Sequence, residues 1–68
     1  MKMQVKVGEY VTVRGSEFHK IRPQGGKVVE INGHKVTIDV GKHVIEVNDS
    51  EVTTDQAVAN RWYASFAQ

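Results

Sequence analysis

The chain has 68 residues, 40% hydrophobic and 25% charged, with a formal net charge of +1, which fits one small domain near the lower limit for folding without staples. It contains no cysteine, which excludes disulfides, thiolate metal sites and thiol redox chemistry. No apolar run approaches the ~18 residues needed to span a bilayer, and Met1 to Lys6 lacks the apolar core of a signal peptide, so a cytoplasmic protein without membrane association is expected.

In chain order, residues 3–7 alternate as a first strand would, and Gly8-Glu9 separates them from a second, Tyr10 to Arg14. Val11 and Val13 share one face of that strand and Thr12 and Arg14 the other. Gly15 to Gly26 reads as a long loop, with Phe18 and Ile21 expected to tuck inward as its anchors. Lys27 to Val47 then spells a three-stranded antiparallel meander with turns at Asn32-Gly33 and Gly41-Lys42, because tight hairpins demand residues that accept φ > 0. A two-residue Asn32-Gly33 turn pairs Ile31 with His34, Glu30 with Lys35 and Val29 with Val36. The Gly41-Lys42 turn pairs Val40 with His43 and Ile38 with Ile45. The inner face predicted from this register holds Val29, Ile31, Val36, Ile38, Val40, Ile45 and Val47; Val28, Glu30, Lys35, Thr37, Asp39, Val44 and Glu46 face outward.

After a turn at Asp49-Ser50, Glu51 to Thr53 reads as a short closing strand. Residues 54–68 change period. Thr53 or Thr54 serves as a candidate helix N-cap, Thr53 with Gln56 in a capping box. Val58, Ala59, Trp62, Tyr63 and Phe66 then fall on one helical arc.

Five short strands with a long early loop resemble a small SH3-like barrel, and more narrowly the KOW domains of the NusG transcription elongation family and related ribosomal proteins. The resemblance rests on Gly8-Glu-Tyr-Val-Thr-Val13, Gly26-Lys-Val-Val-Glu-Ile31, Ile45-Glu-Val47 and Ser50-Glu-Val52. It implies an all-β, five-stranded SH3-like barrel over 1–53, to which the helical period of 54–68 adds a short C-terminal α-helix. It also implies a binding module. The stretch His19-Lys-Ile-Arg-Pro23 and the aromatic helix are departures from the family pattern.

Eight of the nine cations precede Ile45, whereas Glu46, Asp49, Glu51 and Asp55 follow it. Arg14, Phe18, His19, Lys20, Arg22 and Lys27 form the candidate binding set. Cationic side chains on a loop reach a phosphate backbone with little strain, and Phe18 or Tyr10 offers a ring on which a base can stack. The expected partner is RNA or DNA, or a transcription or translation complex. The alternative is a protein-binding adaptor, phage or mobile-element encoded, working through a sheet edge or through Trp62, Tyr63 and Phe66, as a monomer or weak homodimer. The other reading of that aromatic arc is that it packs on the barrel. No cofactor and no metal is expected, because His34 and His43 close hairpins at opposite ends of one strand and His19 has no ligand beside it at metal spacing. Ser16, Ser50 and Ser65 carry no nucleophile motif, and Gly25-Gly26 precedes a strand rather than a helix, so no enzymatic activity is expected.

Overall fold

The computed structural model describes residues 5–16 and 21–66. They form one five-stranded antiparallel sheet and one helix: β1 (Tyr10–Val13), β2 (Gln24–Asn32), β3 (Lys35–Asp39), β4 (Val44–Asn48), a 3-10 turn at Asp49–Glu51, β5 (Val52–Thr53) and α1 (Gln56–Phe66). The strand order is β4-β3-β2-β1-β5. The strands at its two ends, β4 and β5, do not pair with each other, so the sheet is open. This overturns the expected SH3-like barrel, and with it the resemblance to KOW domains, whose shape depends on a closed sheet.

Chain order and sheet order differ at a single point, where β5 returns to the free side of β1, pairing Thr12 with Thr53 and Val13 with Val52. The turn Gly41-Lys42 forms as expected. Gly41 takes φ 107°, Val40 N–H donates to His43 O at 3.0 Å, and Ile38 stands opposite Ile45.

The first hairpin differs. Asn32 pairs with Lys35, so the two-residue loop is Gly33-His34, with Gly33 at φ 63° in the first central position. Ile31 therefore faces Val36 and Glu30 faces Thr37. A bulge at Val29 then restores the alternation and sets Val28 against Ile38. The bulge reverses the predicted sides of two adjacent valines: Val28 is 1% exposed and Val29 42%. The shifted turn and the bulge together match apolar residues across both pairs. They also bring Gly26 under Ile38, Asp39 and Val40, where a Cβ would lie 2.5 Å from Ile38 Cγ2 and 2.7 Å from Asp39 O.

That need for a bare backbone explains why Gln24-Gly-Gly26, loop-like in composition, is strand. It pairs with Val13, Thr12 and Val11, so the expected loop 15–26 ends at Pro23. No strand forms over residues 5–7; Lys6, Val7, Gly8 and Glu9 make a turn closed by Glu9 N–H to Lys6 O at 3.1 Å. The rest of the predicted first strand, residues 3 and 4, lies outside the described residues.

One face of the sheet gathers Val11, Val13, Val28, Val36, Ile38 and Val52 into the core, with Val5, Val40, Ile45 and Val47 packed around it. The opposite face is covered at its β1–β5 side. Thr53 alternates with Val52 and so turns away from the valine cluster, yet it is 3% exposed; α1 contacts β5, and Ala59 is buried there. The helix begins one residue later than Thr54 would allow. Asp55 is its cap, with Oδ1 accepting from Ala57 N–H at 2.8 Å and Val58 N–H at 3.4 Å. Thr53 Oγ1 instead accepts from Asp55 N–H at 3.0 Å. No helix among the described residues is long and apolar enough to cross a membrane.

Candidate functional site

Arg14 leaves β1 on the same face as Thr12, the face that α1 covers. Its backbone N–H donates to Glu51 O at 2.7 Å, which ties the end of β1 to the 3-10 turn. Immediately after it, Gly15 lets the chain double back. Ser16 and Ile21 exchange two backbone hydrogen bonds, 2.7 and 2.8 Å, and the Ile21–Pro23 backbone lies against Gly15. A Cβ at Gly15 would meet Ile21 O, Arg22 C and Pro23 N. The returning segment places Pro23 in a buried position and leaves Arg22 exposed.

Across from this doubled-back segment run the last turns of α1. Arg14, Ser16, Pro23, Glu51, Trp62 and Phe66 line one cleft of about 580 Å³, together with Gly15, Ser50 and Ser65. The guanidinium carbon of Arg22 stands 6.0 Å from the centre of the Phe66 ring, at the outer limit of a cation–π contact. Glu51 is the one carboxylate on the lining among the described residues, and its Oε1 accepts from Asn48 N–H at 2.9 Å. Trp62 and Phe66 are half-buried, so each has one side against the protein and another toward the cleft.

The two groups of residues singled out in the sequence are thus joined in space. Arg14 and Arg22 of the basic set meet Trp62 and Phe66 of the aromatic set. Lys27 does not belong with them: it pairs with Tyr10 and Asp39 and lines a separate concavity of about 570 Å³ with Thr12, Thr53 and Gln56. Tyr63 is exposed and lines neither. Phe18, His19 and Lys20 lie outside the described residues. Ile21, expected as an inward anchor, is exposed; the loop is held by its backbone bridge and by Pro23 instead. Ser50, Glu51 and Pro23 were absent from the predicted site. Their sequence signals, a turn and a proline, mark chain reversals and carry no indication of what the reversal faces.

His34 Nδ1 lies 3.4 Å from Asp49 Oδ2; among the described residues no three His, Asp or Glu side chains gather as a metal site would need. Comparison with known proteins finds no matching family model, no matching curated protein and no matching solved structure.

Proposed function

We propose that this chain is a non-enzymatic binding module of the cytoplasm, which takes a single-stranded nucleic acid segment into the cleft between residues 14–16, 22–23 and α1. The observation that carries this reading is the conjunction of Arg14 with the half-buried rings of Trp62 and Phe66 in that one cleft, with Arg22 beside it against the Phe66 ring. Single-strand binding combines cations that follow the phosphates with aromatic faces on which bases stack, each stack worth about 1–3 kcal/mol by truncation. Arginine suits both tasks, since its planar fork pairs with phosphate and lies flat on a ring. Among the described residues of the lining, the one carboxylate, Glu51, accepts from a backbone N–H.

Trp62 is the only tryptophan in the chain, so its fluorescence reports on the cleft directly. Titration with short single-stranded RNA and DNA at low salt is expected to quench it. Arg14→Glu with Arg22→Glu is expected to abolish binding, with single reversals lowering the salt slope by about 0.7 for each lost phosphate contact. Binding that is indifferent to salt would instead assign the cleft to an apolar protein segment. An unperturbed Trp62, together with unshifted amides at 14–16 and 22, would sink the reading.

A further inference from the structure

Strand β4 ends the sheet, and its hydrogen-bonding pattern can be followed residue by residue. Val40 N–H donates to His43 O at 3.0 Å and Asp49 N–H to His34 O at 2.8 Å. Both pairs lie on the β3–β4 register that opposes Ile38 to Ile45 and Val36 to Val47. Bonded and non-bonded pairs alternate along an antiparallel ladder, so His43, Ile45 and Val47 spend their N–H and C=O groups on β3. Val44, Glu46 and Asn48 turn theirs away from it. Asn48 N–H is taken by Glu51 Oε1 at 2.9 Å. Val44 and Glu46 are left presenting N–H and C=O along the outer edge, beyond which no described strand lies.

Among the described residues, Glu46 is the one charged side chain that guards this edge. Val44–Asn48 contains no proline and no lysine, and the β3–β4 register has no bulge. Val44 adds an exposed apolar side chain, 57% accessible.

We propose that the β4 edge is an interface between two copies of this chain, paired antiparallel about a two-fold axis at Val44. Charge decides the register. An axis at Glu46 would set two carboxylates directly opposite each other, which is destabilising. An axis at Ile45 would place Val44 against a carboxylate. An axis at Val44 sets Val44 against Val44 in a bonded pair and brings Lys42 of each copy opposite Glu46 of the other, twice by symmetry. The pairing extends two five-stranded sheets into one ten-stranded sheet, satisfies the orphan groups of Val44 on both copies and sets those of Glu46 against the Lys42 backbone of the other copy.

Sedimentation from about 10 μM to about 1 mM, the range of weak association, is expected to show a monomer passing to a dimer. Amide hydrogen exchange on the same samples gives the signature. Ile45 and Val47 are protected at every concentration, whereas Val44 and Glu46 become protected only as the dimer forms. Glu46→Lys is expected to abolish the dimer while leaving the melting temperature of the dilute monomer unchanged, and Lys42→Glu combined with Glu46→Lys to restore it. A monomer throughout overturns the proposal. So does a dimer whose Val44 and Glu46 amides exchange freely, or one that survives Glu46→Lys. Protection of those amides at the lowest concentration would also overturn it, by showing the edge occupied within one chain.

Discussion

Gly25 and Gly26 are neighbours in β2, and the structure requires different things of them. A Cβ at Gly25 would find only Val11 O at 3.7 Å, an ordinary contact, whereas one at Gly26 would press on Ile38 Cγ2 and Asp39 O. Gly25→Ala is expected to be neutral or to stabilise by up to about 1 kcal/mol, through the reduced freedom of the unfolded chain. Gly26→Ala should destabilise by about 1–3 kcal/mol, the usual range for forcing volume into a packed site. Thermal melts of the two single variants check this directly, and equal melting temperatures would contradict the close approach. Val28 and Val29 form a second contrasting pair. Val28 packs in the core and Val29 is the bulge residue, so Val28→Ala should cost roughly 2 kcal/mol or more and Val29→Ala less than about 0.5 kcal/mol. Identical residue types make the comparison one of position alone.

At the scale of elements, the parts legible in the sequence are those with local chemistry. Gly41-Lys42 announced its hairpin because glycine accepts a positive φ, and the register of β3 against β4 followed from it. Asn32-Gly33 announced a turn as well, yet one glycine can serve either central position, and the sequence carries no sign of which. The bulge was invisible for a related reason: Val28-Val29 is apolar at both positions, so alternation cannot say which side chain turns inward. Gln24-Gly-Gly26 reads as loop by composition because its value to β2 lies in what it lacks, and only the approach of Ile38 and Val40 shows that. The helix was legible by its period but not by its cap. Three candidate caps stand in a row, Thr53, Thr54 and Asp55, and it is the Asp55 carboxylate that reaches the second and third helical N–H groups. Asp55→Ala is therefore expected to cost about 1 kcal/mol, and Thr54→Ala close to nothing, as measured by urea denaturation.

On the scale of the whole molecule, the sheet has two faces with separate supports, and the candidate cleft belongs to the second. The barrel expectation supposed one enclosed core, whereas an open sheet must find cover for each face. The valine cluster serves one; α1 serves the β1–β5 part of the other. The meeting of Arg14 and Arg22 with Trp62 and Phe66 depends on that second packing, across some forty residues of chain, which no local pattern encodes. Removing residues 55–68 tests how far the first face stands alone. The helix contributes a fully buried Ala59 and half-buried Val58, Trp62 and Phe66. At about 1.5–3 kcal/mol for each large side chain fully buried, half-burial of three sums to roughly 2–4 kcal/mol. A single core in a domain of this size rarely supplies more than about 3–5 kcal/mol, so the loss approaches the whole margin. The truncated chain is expected to be substantially unfolded at 25 °C, with collapsed amide dispersion and no cooperative melt. Trp62→Ala alone removes only part of the cover and should leave a folded sheet with a lower melting temperature. A truncated chain that melts with the parent would mean that the valine cluster is self-sufficient, and that α1 serves the cleft without supporting the fold.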